Sequence, residues 1–454
     1  MKVLKFGGTS VGTVDSLKNV KKIVESLQGK AIIVVSALGG LTDKLIAMAK
    51  MASEGNPEWK KEMKKVYSRH FDIINHVVPL DKIGWTKVRV DFTLDDLEMK
   101  YDKIASRKEL SEIDLNYIVS FGERVSSVII AAMIENGKLY DSRDFIFTEK
   151  WYGKNIADRK LTDKMIKKTF SSMSENEKAI VPGFISTDSS TGYITNLGRG
   201  GSDFTGALIA AALNAEILEI WTDVDGFMTA DPRIVKNALI IDHLTFTESM
   251  ELCTFGAKVI YPPTIYPVFH SNIPIKILNT FNPSAPGTLI TDNAKRDDLD
   301  IKGVTALKDL SIIRIEVKEP KKIKDPLKRA LNALSKQGIT IIPVANPDPD
   351  SELNLVVSNT DSKVSLDLIR KEFATEIADN YISASSLKDN LAAIAVVGKD
   401  MNSRGRLAAR IGHSLRRQGI NVEAYSVGSS TTLLYIINQE KCSFALSLIH
   451  SLIF

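Results

Sequence analysis

The sequence predicts an α/β protein: a mainly parallel sheet with helices on both faces, followed by two small, related βαββα modules. Three observations carry this. Residues 1 to about 295 alternate short apolar runs with helical patterns. Several of those runs, Ala31-Ile32-Ile33-Val34-Val35 above all, are continuous and β-branched, as strands buried on both faces are. Further on, Leu334-Ser335-Lys336-Gln337-Gly338-Ile339 returns as Leu415-Arg416-Arg417-Gln418-Gly419-Ile420.

The first strand, Lys2 to Phe6, runs straight into Gly7-Gly8-Thr9-Ser10, with a helical pattern from Val14. Glycines let backbone amides face an anion, and a helix N-terminus adds unpaired N–H groups. Lys5 puts a full positive charge beside the same turn. The spacing is neither a P-loop nor GxGxxG, and a plain strand–turn–helix corner has the same outline. The strand 31–35 leads into Ser36-Ala37-Leu38-Gly39-Gly40-Leu41-Thr42 and a helix from Leu41 to Met51. Ligands of open α/β sheets sit at the carboxyl ends of strands. Ser36 and Thr42 are therefore candidates to hold a phosphate or carboxylate, and Thr42 reads equally well as a helix N-cap.

From about Pro57 to Ile134 the pattern is helical and more polar, an excursion beside the sheet and a candidate lid. Inside it lies Phe121-Gly122-Glu123-Arg124. A glycine within a helix costs about 1 kcal/mol and marks the close approach of a ligand or another backbone. Glu123 is a candidate partner for a substrate ammonium, or one half of a surface Glu–Arg pair. A strand at Ala179 to Phe184 follows. Then come Asn196-Leu197-Gly198-Arg199-Gly200-Gly201-Ser202-Asp203, an Ala-rich helix from Asp203 to Leu213, and a strand at Ile217 to Trp221. Three glycines offer a nest of amides, Arg199 a fork for a carboxylate, and Asp203 a partner for lysines. The turn Thr222-Asp223-Val224-Asp225-Gly226 and the segment Phe227 to Arg233 form either a nucleotide pocket or an ordinary pair of turns. Lys258, in Phe255-Gly256-Ala257-Lys258-Val259, follows a glycine in a helical pattern broken by prolines; alone it reads as a surface lysine. Two lysines, an aspartate and several glycine-rich anion loops together suit phosphoryl transfer, which is mostly positioning and charge neutralisation.

Composition narrows the alternatives. The chain has 454 residues, 44% hydrophobic and 25% charged, with a net charge of +4, so two or three domains are expected. The basic residues are scattered, which argues against nucleic acid as a partner. The two cysteines, Cys253 and Cys442, are far apart among apolar residues and read as buried thiols. No apolar run is long enough to span a bilayer and no signal peptide precedes the first strand. A soluble, cytoplasmic protein without membrane partners is expected. The six histidines form no metal-ligand cluster and no Ser-His-Asp set.

Near residue 296 the polar junction Lys295-Arg296-Asp297-Asp298 changes the character of the chain. Each copy of the repeat follows a strand (Ser311 to Val317; Ala392 to Val397) and a helix, and precedes two more strand patterns and another helix. Paired modules of this kind resemble ACT domains, which bind small effectors or pack on one another. The second module lacks a fourth strand of its own, and an orphan strand, Ile301 to Leu307, precedes the first. Filling that edge would interlock the two. The expected domains are 1–295, 308–386, and 300–307 with 387–454.

The series Lys5-Phe6-Gly7-Gly8-Thr9-Ser10-Val11, Phe121 to Arg124, Leu197 to Asp203, Thr222 to Gly226 and Phe255 to Lys258 resembles that of the aspartate kinases, in order and over essentially the whole chain. The resemblance implies the amino acid kinase fold, two interlocked C-terminal ACT modules and no fused dehydrogenase. It implies ATP-dependent phosphorylation of the β-carboxylate of L-aspartate, with Mg²⁺ entering on ATP, and a homodimer formed through the ACT modules. Carried over by position, Lys5, Asp203 and Lys258 would be catalytic. Ser36, Thr42, Glu123, Arg199, Gly200, Gly201 and Ser202 would hold aspartate. Lys5, Phe6, Gly7, Gly8, Thr222, Asp223, Met228, Arg233, Lys258 and Val259 would bind nucleotide. Met228 stands where the family often has Tyr. In the first module Ile341 or Ile342 stands where lysine-inhibited relatives carry an acid, and Val427 replaces a Gln of threonine-inhibited ones. Weak or absent lysine inhibition is therefore expected. A kinase of the same fold acting on glutamate or carbamate, and an effector-sensing protein with an inactive kinase domain, are the competing readings.

Overall fold

In the computed structural model the strand Lys2–Phe6 is hydrogen-bonded to Ala31–Val35 on one side and Ile217–Thr222 on the other, both parallel. The described residues are 1–151, 153–293, 299–345, 351–383, 386–426 and 429–454. They form two units, Met1–Phe227 with Val259–Ala294, and Met228–Lys258 with Lys295–Phe454.

Within the first unit the sheet runs Thr288–Thr291, Ile275–Asn279, Ile217–Thr222, Lys2–Phe6, Ala31–Val35, Lys178–Pro182, Gly137–Leu139. The pair Ile275–Asn279 and Thr288–Thr291 is antiparallel, and the other neighbours in this order are parallel. Ala31–Val35 is buried along its whole length, as a both-faces-covered strand must be. A smaller sheet orders Lys154–Ala157, Phe147–Trp151, Ile185–Asp188 and Ile194–Asn196.

The helical excursion comprises Glu58–Val77, Leu80–Arg107 and Glu112–Met133. Prolines 57 and 79 stand just before two of these helices, where a missing N–H is harmless. Ser111 and Asp114 close a capping box on the third. Their apolar faces join the helix Leu41–Ser53 and the sheet in one core, with Trp59 against Tyr101 at 5.3 Å between ring centroids. The N-cap of Leu41–Ser53 is Gly40 at φ +77, so the capping role considered for Thr42 is not the one it has. Thr42 sits inside the first turn, because the glycine supplies a left-handed backbone that threonine resists.

In the second unit one antiparallel sheet orders Glu352–Ser358, Ile301–Glu316, Ser386–Gly398, Thr432–Asn438 and Val422–Ser426. The orphan strand and the first module's opening strand are one strand, Ile301–Glu316. Its residues 301–307 pair with 393–398, while 310–316 pair with 352–358. Among the described residues, the expected second strand of the first module forms no ladder. Ile342 makes a single bridge to Val356, and the Ala345 N–H donates to the Tyr425 carbonyl at 2.9 Å. Pro343 has no N–H to extend a ladder. The junction 295–298, Asp348, Asp350, Val427 and Gly428 lie outside the described residues.

Residues 228–258, expected in the first domain, group with the second unit. Ala230 and Val235 join its core with Val304, Ile394 and Leu433. Thr229 Oγ1 lies 2.9 Å from His450 Nε2, and the Thr432 hydroxyl donates to Glu251 at 2.8 Å. The helix Phe246–Thr254 stops before Gly256, which lies at φ +126 with its Cβ position 2.0 Å from the Ala306 carbonyl oxygen. Lys258 is consequently not helical, contrary to the periodicity of its segment. Cys442 is buried as expected, whereas Cys253 is only half-buried.

Candidate active site

Loops at the carboxyl ends of the first unit's strands close around a cavity of about 380 Å³. Its walls bring together Lys5, Gly8, Ser36, Thr42, Glu123 and the run Arg199 to Asp203. These come from sequence positions as distant as 5 and 203, and the sheet order makes them neighbours.

Glycines allow the loops to meet. A Cβ on Gly39 would stand 3.0 Å from the Gly8 carbonyl oxygen, so the first two anion loops touch backbone to backbone. Gly122 lets the helix Glu112–Met133 approach the end of the second strand: a Cβ there would fall 2.6 Å from the Ala37 Cβ. That close approach delivers Glu123 to the cavity.

The Lys5 ammonium lies 2.7 Å from Asp203 Oδ1, both side chains being about one-tenth exposed. Asp203 stands in the first turn of the helix Gly201–Ala212, whose N-terminal amides face the same space. Gly200 caps that helix at φ +70. Arg199 stacks on the Tyr261 ring at 5.6 Å, which holds a guanidinium at the cavity wall.

Glu123 is 4% exposed, which excludes the surface-pair reading, and Arg124 reaches Asp96 instead, at 3.8 Å. Its Oε2 has no hydrogen-bond partner. Burial pushes its carboxyl up to about 8, opposed in part by the Ala37 backbone amide and the nearby Lys5 charge. A buried carboxylate short of a partner is suited to a cation.

The expected nucleotide residues are more dispersed. Phe6 stacks on Trp221 at 5.9 Å between centroids, and the Gly7 N–H donates to the Trp221 carbonyl at 3.0 Å. The Thr222 hydroxyl donates to Asp223 at 3.2 Å, at the end of the strand beside Phe6. None of Phe6, Gly7, Thr222, Asp223 or Val259 lines the cavity. Met228, Arg233 and Lys258 belong to the second unit, where Arg233 pairs with Asp231 at 2.7 Å and Met228 bridges Ile240. Among the described residues, no group of three or more His, Cys, Asp or Glu is arranged to hold a metal ion.

Sequence reasoning passed over Asp43 and Phe184, which line the cavity. Asp43 adjoins Thr42 and was within reach of the same argument. Arg69, which braces the loops by donating to the carbonyls of Gly39 at 3.0 Å and Gly12 at 2.9 Å, carries no local signal.

A parallel-sheet unit with an anion-loop cavity at its strand ends and a C-terminal antiparallel sheet defines the class. The sequence model of the Amino acid kinase family matches residues 1–279 and that of an ACT domain residues 394–452. The chain belongs to the amino acid kinase family, with a C-terminal ACT domain. Within the family its relatives are aspartokinases. The bifunctional aspartokinase/homoserine dehydrogenase of Haemophilus influenzae is 29% identical over 464 residues, covering 100% of this chain and 56% of that protein. The chloroplastic aspartokinase 1 of Arabidopsis thaliana is 28% identical over 465 residues, covering 100% and 80%. The chain thus spans only about half the length of the bifunctional relatives. The aspartate kinase of Clostridium acetobutylicum superposes with a TM-score of 0.81 at 27% identity over 100% of both chains. E. coli aspartokinase III in complex with aspartate and ADP gives the same fold, with a TM-score of 0.81 at 24% identity over 99% of each chain. No helix of the described residues is long and apolar enough to cross a membrane.

Proposed function

We propose that this protein is an aspartate kinase, transferring the γ-phosphoryl group of ATP to the β-carboxylate of L-aspartate to give 4-phospho-L-aspartate. This is the entry step toward lysine, threonine and methionine. The observation that carries the proposal is the pairing of charges in one cavity. A buried, partner-short carboxylate at Glu123 suits an α-ammonium, and a guanidinium at Arg199 suits a carboxylate. A carbamate kinase needs no ammonium site. The names of the relatives support the same substrate.

In this reading Lys5 neutralises charge on the transferring phosphoryl group, and Asp203 fixes the ammonium in place. Gly8 and the amides of Gly200 to Ser202 surround anionic oxygens, and Ser36 and Thr42 hydrogen-bond the substrate. Phe6, Gly7, Thr222, Asp223, Met228, Arg233, Lys258 and Val259 remain proposed nucleotide residues, with Lys258 also catalytic. Mg²⁺ arrives on the nucleotide's phosphates. Assembly of two copies through the C-terminal modules belongs to the same proposal.

The test is acyl-hydroxamate formation from L-aspartate, ATP and Mg²⁺ in the presence of hydroxylamine. Aspartate-dependent hydroxamate is the expected result. Equal or greater product from glutamate, or none from either, would overturn the assignment.

A further inference from the structure

The helix Leu80–Arg107 presents an apolar stripe away from its core. Its inner face buries Val90, Leu94, Leu97, Tyr101 and Ile104. On the other face Trp85, Val88, Phe92 and Met99 are 59%, 56%, 73% and 56% exposed. Trp85, Val88 and Phe92 recur at the three- and four-residue steps of a helix–helix seam, and Met99 lies a further seven residues along the same face. A groove of about 350 Å³ beside Phe92, lined by Trp85, Asp96 and Arg124, gives the stripe depth.

Although Val88 falls opposite Asp96, three pairs of positions are chemically complementary about Phe92. Trp85 and Met99 each lie seven residues from it, both apolar. Arg89 and Asp95 each lie three away, and Asp81 and Lys103 eleven away, with opposite charges in both pairs. All four charged residues are exposed. An antiparallel packing of two such helices about a two-fold axis at Phe92 sets Trp85 on Met99, Arg89 on Asp95 and Asp81 on Lys103. A parallel packing sets each charge against itself, which is repulsive. We propose that this face is an isologous interface, and that its occupant is the same helix of a second copy of this chain.

The energetics divide in the usual way. Aromatic anchors such as Trp85 and Phe92, seated in a groove, carry the affinity. Exposed charge pairs add little affinity each and instead set orientation and register. The helix, at roughly 1.5 Å per residue, is about 40 Å long, enough for a continuous seam. The contact lies wholly on the first unit and so is separate from pairing through the C-terminal modules.

The test uses the full-length chain. Phe92→Cys is oxidised with copper–phenanthroline and run with and without reductant. Asp91→Cys serves as an exposed neighbour facing off the seam, and the unsubstituted chain controls for Cys253. A reducible dimer at position 92, and little at 91, is expected. Trp85→Cys with Met99→Cys cross-links while either alone does not. In sedimentation, Arg89→Asp weakens self-association at least about tenfold, and adding Asp95→Arg restores it to within about threefold. That rescue separates the proposal from misfolding. Equal cross-linking at 91 and 92, cross-linking of Trp85→Cys alone, or self-association indifferent to Phe92→Glu and to the charge swap would overturn it.

Discussion

Replacing Glu123 by Gln keeps the shape of the cavity wall and removes one charge. In the free protein, burial pushes this carboxyl up to about 8, so near pH 7 only about one molecule in ten carries the anion. An ammonium binds the anion. The KM for aspartate of the unaltered enzyme should therefore fall by up to about tenfold per pH unit between pH 6 and 8, then level off. The Gln variant should lose that dependence. It should bind aspartate about thirty- to a hundredfold more weakly, the effect of losing a charged hydrogen bond in a closed site. Stability should move the other way. A carboxyl raised from 4.5 to about 8 on folding contributes stability that is complete below its unfolded value and is lost as pH rises through 8, by at most about 4–5 kcal/mol. Without aspartate, Glu123→Gln should thus melt above the unaltered protein at pH 8.5, with the gap closing toward pH 5. The assays are initial rates against aspartate at fixed ATP across pH, and calorimetric melting at the same pH values. A flat KM from pH 6 to 8, or a Gln variant that binds aspartate normally, would refute the reasoning.

Lys5→Ala and Asp203→Ala should each lower turnover by about a hundredfold or more, the roughly 2.7–4 kcal/mol lost with one preorganised charge contact, while circular dichroism stays unchanged. Near-normal turnover in folded Lys5→Ala would break the phosphoryl-transfer reading. Arg199→Ala should raise the aspartate KM and leave the ATP KM alone; the opposite pattern would reverse the proposed division of the cavity. Lysine at millimolar concentration should leave most activity intact, because Ile342 is buried in a bridge to Val356 and offers no carboxylate for a cation. Half-inhibition well below a millimolar, abolished by substitutions within 339–345, would show otherwise.

The central strands of the first unit were legible because they are short and largely apolar and end in glycine-rich loops, whereas the mixed strands of the smaller sheet and of the sheet edges carry no such signal. Ala31–Val35 and the Gly7-Gly8 turn announce themselves by composition alone. Glu123 was legible only in part. Gly122 within a helix signalled a close approach, but whether Glu123 faced solvent or the cavity depended on Ala37, which lies 86 positions before it. The boundary of the second unit was not legible. Residues 228–258 look like one more turn-and-helix of the sheet domain, and only the tertiary contacts of Thr229, Ala230, Val235 and Glu251 assign them elsewhere. The single strand Ile301–Glu316 was split in two by its exposed Lys308 and Asp309, which sit where its pairing register shifts. Thr42 failed as a cap because a neighbouring glycine can take a backbone shape that no local propensity for threonine reveals.

The central claim, that a carboxylate of aspartate is the phosphoryl acceptor, is tested most directly by isotope. L-aspartate labelled with oxygen-18 in its β-carboxylate is incubated with enzyme, ATP and Mg²⁺, the acyl phosphate is discharged with hydroxylamine, and the released phosphate is weighed by mass spectrometry. The carboxylate oxygen that attacked phosphorus leaves with it, so phosphate should carry one oxygen-18. Label in the α-carboxylate should give none. Unlabelled phosphate from β-labelled aspartate, or labelled phosphate from the α-labelled substrate, would contradict the account.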